Sequence, residues 1–224
     1  MELSRRRHRG LLAFAFTASA GCSLLRPNAA ADPDINFAAH TASRGIVVDR
    51  MDGDQHGTLG PSDSRAGGPQ FVLQTAAATT AAFWVSGSRT AVRPSPDSTA
   101  LALGQVEASW EDNAIRFTLA PAAGGFSTSP FKRIEGGASP AALGQPAASI
   151  LDLRGVYRAD VVDAAGKPAG WLRVRVDSRW GPAHIYDGAL PQEIDGPLAV
   201  AVVAQLDAAL NAVEDAAANP YIGN

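Results

Sequence analysis

The fold is decided by residues 156–176, VYRADVVDAAGKPAGWLRVRV. Apolar and polar residues alternate on both sides of a turn over residues 163–168, a pattern that predicts two antiparallel strands with one buried face. This buried face is expected to carry Tyr157, Val161, Leu172, Val174 and Val176. The stretch therefore predicts a β-hairpin whose apolar side must be covered by another part of the chain.

A second hairpin is predicted around residues 111–113, EDN, which are typical turn residues. Apolar and polar residues alternate after this turn as well, with the apolar positions at Ile115, Phe117 and Leu119. Residues 52–69 are rich in Gly and contain two Pro, so we expect a long loop there. A further short strand is expected at residues 131–135.

The clearest helix lies near the C-terminal end. Asp195 can cap it, and Pro197 falls in the first turn, where a missing N–H is harmless. One stripe is apolar, with Leu198, Val202, Leu206 and Leu210, and the other is expected to face water, with Gln205, Asp207, Asn211, Glu214 and Asp215. The predicted fold class is therefore α+β, an antiparallel sheet of hairpins or a meander packed against one C-terminal helix.

The N-terminal residues predict export. Arg5, Arg6, Arg7 and Arg9 precede a short apolar run, as in a secretory signal peptide. Ser19-Ala20-Gly21-Cys22 resembles the lipobox of bacterial lipoproteins, which implies a signal peptide over 1–21 and a lipidated Cys22. Cleavage after Ala31, which gives a signal peptide over 1–31, is the alternative. The resemblance is confined to the signal sequence.

The expected domain organisation follows from these signals. Residues 22–42 would form a lipid anchor and flexible tether, and residues 43–224 a single α+β domain. The net charge of −3 becomes more negative once the basic leader is removed, so nucleic acid is not an expected partner. Expected partners are the membrane, through the anchor only, and an envelope protein or a small ligand. Cys22 is the single cysteine, so no disulfide can form within one chain.

An acidic stretch has partial calcium-loop spacing. Asp52, Asp54 and Asp63 fall at positions one, three and twelve, with a Gly at position six. His56 at position five is a poor oxygen substitute, and Asp63 stands where a glutamate is usual. A solvated acidic turn is the alternative interpretation. No other cofactor is predicted.

One stretch, residues 179–188, concentrates aromatic and polar side chains. It contains Trp180, His184, Tyr186 and Asp187, residue types that favour binding surfaces. We expect it to form a loop that either binds a ligand or seals one end of the sheet. Trp171, on the outer face of the hairpin, could extend a binding surface.

These observations predict a non-catalytic protein of the cell envelope with a binding or scaffolding role. The expected location is the outer membrane, facing the periplasm, with a soluble periplasmic protein as the alternative. No catalytic residue is assigned. Two other functions stay open: a hydrolase that uses His184, Asp187 and His56, and a binding module stabilised by a divalent metal at residues 52–63.

Overall fold

The computed structural model describes residues 35–43, 45–51, 55–63, 67–76, 78–97, 99–121, 124–177 and 183–218. The strands are β1 Phe37–Ala42, β2 Gly45–Met51, β3 Gln55–Pro61, β4 Phe71–Thr75, β5 Thr79–Ser86, β6 Arg89–Arg93, β7 Gly104–Glu111, β8 Ala114–Pro121, β9 Phe126–Thr128, β10 Lys132–Gly136, β11 Gly155–Asp163, β12 Pro168–Asp177 and β13 Ala183–Ala189. The helices are α1 Ile150–Leu153 and α2 Gly196–Ala218.

The strands form one antiparallel sheet that closes on itself. Its order is β10-β11-β12-β13-β1-β2-β3-β4-β5-β6-β7-β8-β9, and β9 pairs in turn with β11, where Val161 lies opposite Thr128. β10 pairs with the first half of β11, and β9 with its last three residues. The closed ring therefore has twelve strands, and β10 lies beside the seam.

In the hairpin of β11 and β12, the wall of the barrel is apolar inside and mainly polar outside. Along β12, Leu172, Val174 and Val176 are buried, as predicted, together with Tyr157 and Val161 of β11. The alternate positions Arg173 and Arg175 face outward.

The helix α2 lies inside this barrel. Six consecutive residues, 198–203, are each no more than 1% exposed, and consecutive residues of a helix point in directions about 100° apart. Every side of this part of α2 is therefore covered. The helix also packs against β1 and β2 on one side of the ring and against β5, β6, β7 and β8 on the other.

The predicted fold class is wrong in this respect. The sheet is not an open layer with a helix on one face, because it closes into a barrel that surrounds the helix. The interior of a barrel widens with strand number, and about eight strands already give an interior that side chains alone can fill. Twelve strands leave a wider space, which a helix about 10 Å across can occupy.

The two ends of the barrel differ. One end is closed by the segment between β13 and α2, where the Asn36 side chain donates to the Leu190 carbonyl (2.7 Å) and accepts from the Leu190 N–H (2.9 Å). Asp195 caps α2 there, as predicted, by accepting from the Leu198 N–H (3.0 Å). The second half of α2 reaches the opposite end, where it packs against α1. We call this end the open rim because a crevice opens there beside the helix.

The two predicted hairpins are confirmed as β7–β8 and β11–β12. Asp112 and Asn113 both have positive φ, of 50° and 60°, which is the geometry of a two-residue type I′ turn. A strand is also present near the expected residues 131–135, as β10.

Other predictions of local structure are wrong. The tether expected to reach residue 42 does not, because Phe37–Ala42 is a strand of the barrel. The loop expected over residues 52–69 contains β3, and the loop expected over 179–188 contains most of β13. Cys22 and the rest of the signal sequence lie outside the described residues.

α2 is long and apolar enough to cross a membrane, but core helices of globular proteins meet the same criterion. Half of its most apolar 18-residue window is buried inside the protein.

Candidate binding site

A cluster of charged and polar side chains joins α2 to the barrel wall near the open rim. The His184 ring, from β13, is fully buried between two carboxylates of α2. Its Nδ1 lies 2.7 Å from Asp207 Oδ1, and its Nε2 lies 3.3 Å from Glu214 Oε1. Tyr186 donates to the same Asp207 oxygen (2.8 Å), as does Thr41 of β1 (3.0 Å). We call these five residues the inner cluster.

The protonation state of the inner cluster follows from these contacts. Burial by itself lowers the pKa of His184, but hydrogen bonds to Asp207 and Glu214, and the charges of both, outweigh it and raise the pKa to about 9. Burial raises the pKa of Asp207, yet the bonds from His184 and Tyr186 outweigh this and leave the pKa below its usual value. At neutral pH the histidine is therefore an imidazolium that donates two hydrogen bonds.

Tyr186 is held neutral. Burial, followed by the nearby charge of Asp207, raises the pKa of this phenol well above its usual value. Its hydroxyl therefore remains a hydrogen-bond donor over the whole physiological pH range. Each nitrogen of His184 and the hydroxyl of Tyr186 is engaged with α2, so the inner cluster holds the helix in place.

A crevice of about 330 Å³ opens beside α2 at the open rim, and we call it the rim crevice. Its barrel side is formed by residues at the ends of strands and in the β5–β6 turn: Gly45, Ile46, Leu59, Gly60, Pro61, Phe71, Val85, Gly87 and Thr90. Its helix side is formed by Ala204, Gln205, Asp207, Ala208 and Asn211. The barrel side is mainly apolar, whereas most of the polar groups project from the helix.

The rim crevice and the inner cluster share Asp207. This residue is on α2, with one carboxylate oxygen, Oδ1, bound by the inner cluster. Its other oxygen, Oδ2, accepts from Asn211 (3.1 Å), one turn further along the helix. Asp207 therefore connects a fixed ionic network to a space that can hold a small molecule.

A second charged cluster lies on the outer face of the barrel. Asp187 of β13 pairs with Arg173 of β12 through two bonds, of 2.7 Å from Nε and 2.8 Å from Nη2. The guanidinium carbons of Arg158 and Arg173 lie 5.0 and 5.3 Å from the ring centre of Trp171. We call these four residues the outer cluster.

The residues predicted to form one binding surface are divided between the two faces of the wall. His184 and Tyr186 point into the barrel, while Asp187 and Trp171 belong to the outer cluster. Alternate residues of a strand point to opposite faces, so residues 184 and 187 cannot share one. Trp180 lies outside the described residues. The single surface expected from residues 171–187 therefore does not form.

The grouping required by the hydrolase alternative does not form either. His184 is buried with both nitrogens bonded, Asp187 faces outward, and His56 is an exposed residue of β3. These three side chains do not converge on a common space. No arrangement of nucleophile and base emerges from them.

The acidic stretch is described only in part. Asp52 and Asp54 lie outside the described residues, and Asp63 is exposed just after β3. Residues 55–61, which would have to wrap around an ion, are an extended strand. Within the described ranges, no group of three or more His, Cys, Asp or Glu side chains is placed to hold a metal. Calcium binding here stays a prediction.

The sequence analysis did not select Asp207, Glu214 or Thr41 as site residues, although the structure places all three in the inner cluster. Asp207 and Glu214 were expected on the solvent-facing side of the helix, but they are two turns apart on one face, against His184. A signal was present: α2 carries no charged residue before Asp207, a span of more than two turns. A stretch of helix without charged residues on any side is normally enclosed by the rest of the protein. The first charged residues that follow it are then buried too and need partners of opposite charge or hydrogen-bonding groups.

Comparison of the chain with protein-family models, with curated proteins and with solved structures finds no match to any of the three.

Proposed function

We propose that this chain is an exported protein of the cell envelope that binds a small, mainly apolar molecule in the rim crevice. The proposal includes a lipid anchor at Cys22 and a location on the outer membrane, facing the periplasm. The observation that carries the binding role is the rim crevice itself. Ligand sites are typically concave, apolar and lined by a few polar groups, and they occur in the mouths of barrels.

The size and position of the crevice support this role. A volume of about 330 Å³ falls at the lower end of the range usual for small-molecule sites. α2 fills the centre of the barrel, so a ligand would lie between the helix and the ends of β2–β6. The inner cluster keeps α2 in position, which would make the site rigid before a ligand arrives and reduce the ordering cost of binding.

Binding is tested with N-phenyl-1-naphthylamine, a neutral dye whose fluorescence rises in apolar surroundings. Ala208 lines the crevice and is exposed, so Ala208→Phe should fill the space without disturbing the core. We expect the dye to bind the parent protein and to bind Ala208→Phe at least tenfold more weakly. The matched control is Ala218→Phe, an equally exposed position about 15 Å further along α2, which should bind the dye as the parent does.

Two outcomes would contradict the binding role. One is that the folded parent protein leaves the dye fluorescence unchanged. The other is that both phenylalanine variants bind the dye as tightly as the parent, which would place the dye elsewhere on the surface.

The anchor is tested by the intact mass of the protein recovered from membranes of the expressing bacterium. The proposal predicts a chain that begins at Cys22 and carries acyl groups, and loss of membrane association in Cys22→Ser. A mature chain that begins at Asp32 without acyl groups would favour the soluble periplasmic alternative and would remove the anchor from the proposal. It would leave the binding role in place.

A further inference from the structure

The rim crevice has one charged lining residue among those that the structure describes, and that residue is acidic. Asp207 lies on its helix side, and no lysine or arginine is found among the lining residues. The inner cluster behind it contains two carboxylates, Asp207 and Glu214, for one imidazolium, His184. The protein therefore places an excess of negative charge beside an apolar space.

The hydrogen-bonding groups of the crevice also favour a positively charged ligand, because most of those left without a partner are acceptors. Asp207 Oδ1 already accepts three bonds, whereas Oδ2 accepts one, from Asn211. The side-chain nitrogen of Gln205 donates to the Thr90 hydroxyl (2.6 Å). The side-chain nitrogen of Asn211 likewise donates to Asp207 Oδ2. No residue in the described ranges donates to the side-chain oxygens of Gln205 or Asn211. What the helix side offers a ligand is mainly acceptors.

We infer that the ligand of the rim crevice is an amphiphile with a primary ammonium group. The ammonium has three donors and a positive charge, and would bind Asp207 Oδ2 and the neighbouring amide oxygens. The alkyl part would lie against Ile46, Leu59 and Phe71 on the barrel side. This inference rests on the proposed function and adds the chemical class of the ligand.

The volume limits the length of the apolar part. A water molecule occupies about 30 Å³ in the liquid, so the crevice holds on the order of ten non-hydrogen atoms. The naphthyl ring of the dye alone fills this space, so its phenyl ring would project from the open side of the crevice. Octylammonium, with a chain of eight carbons, is of that size. Octanol and octanoate have the same chain with a neutral and a negative head group, and therefore isolate the effect of charge.

The experiment measures displacement of N-phenyl-1-naphthylamine by these three compounds at neutral pH and low salt, below their micelle concentrations. We expect octylammonium to bind at least tenfold more tightly than octanol, and octanoate to bind most weakly. Ala208→Lys places a positive charge at the exposed edge of the crevice and should remove or reverse this order. Ala208→Gln, of similar length but neutral, should keep it.

The outcomes separate this inference from the proposed function. If octanol displaces the dye as well as octylammonium does, or if octanoate binds best, the ammonium inference is overturned while the apolar site stands. An unchanged order in Ala208→Lys also overturns it, because the preference would then arise elsewhere. If the dye does not bind at all, the proposed function fails, and this inference fails with it.

Discussion

The inner and outer clusters are centred on neighbouring residues of the same strand, yet we expect them to stabilise the protein to different extents. His184 and Tyr186 face the lumen, where the imidazolium is fully buried between Asp207 and Glu214. Asp187 faces outward and is only 6% exposed, but its partner Arg173 is 32% exposed. Breaking a buried ion pair leaves a charge without water, whereas the partner of a broken surface pair is solvated. The exposure of the cation that is left behind, His184 or Arg173, therefore decides what removal of each carboxylate costs.

The largest effect is expected from Asp207→Ala. This variant removes the acceptor of His184, Tyr186 and Thr41 at once and leaves an imidazolium buried with a single carboxylate. The free energy of unfolding should fall by about 3–5 kcal/mol, measured by urea denaturation. Asp63→Ala, at an exposed carboxylate, should change it by less than about 0.5 kcal/mol. A loss below about 1 kcal/mol for Asp207→Ala would remove the contrast between the clusters.

The second-largest effect concerns how the free energy of unfolding depends on pH. The pKa of His184 is raised to about 9 in the folded protein from 6.5, so the folded state keeps a proton that the unfolded state loses. The resulting stability is fully present below pH 6.5 and is lost as the pH rises through 9, a decrease on the order of 3 kcal/mol. Urea midpoints between pH 6 and 9.5 measure it.

Two controls accompany the pH series. His184→Gln should remove this slope, while His56→Gln, at an exposed residue, should keep it. An NMR titration of the His184 ring in the parent protein gives the same information without a variant, and a midpoint below 7 would contradict the assignment.

The lowered pKa of Asp207 adds stability that is present above about pH 4 and lost as the pH falls further.

Tyr186→Phe should have an intermediate effect. It removes the phenol hydroxyl, whose hydrogen bond to the charged acceptor Asp207 is worth about 1.5–3 kcal/mol. In the Asp207→Ala background the acceptor is already gone, so the same change should cost less than about 0.5 kcal/mol. Equal losses in both backgrounds would show that the hydroxyl acts independently of the inner cluster.

The smallest effect is expected in the outer cluster. Asp187→Ala removes a carboxylate, as Asp207→Ala does, but its partner Arg173 can reach water and remains stacked on Trp171. We expect a loss of about 1 kcal/mol in the same urea experiment. A loss as large as that of Asp207→Ala would mean that the outer pair is just as important to the fold.

The sequence correctly predicted those parts of the fold that are determined by residues close to one another along the chain. The alternation around residues 156–176 correctly predicted β11, β12 and their buried face, because this hairpin needs only neighbours in sequence. Asp195 correctly marked the start of α2 for the same reason. Closure was not predicted, since it depends on the pairing of β9 with β11 and on the summed twist of twelve strands.

The candidate site was predicted only in part. His184 and Tyr186 were selected for their chemistry, but a strand with histidine and glycine resembles a loop, so their direction could not be inferred. Asp207 was placed in water because one apolar stripe on a helix normally has a polar side opposite. Only the enclosing barrel makes an acidic residue at this position part of a buried network.

The enclosure of α2 by the barrel is tested most directly by thiol labelling at Ala199 and Ala201, which point to nearly opposite sides of the helix. Each is replaced by cysteine in the full chain carrying Cys22→Ser, and labelling by a maleimide is followed where circular dichroism shows the variant folded. We predict that Ala199→Cys and Ala201→Cys both label far more slowly than Ala216→Cys, at an exposed position. If either labels as fast as Ala216→Cys, one side of α2 faces water, and the barrel does not surround it.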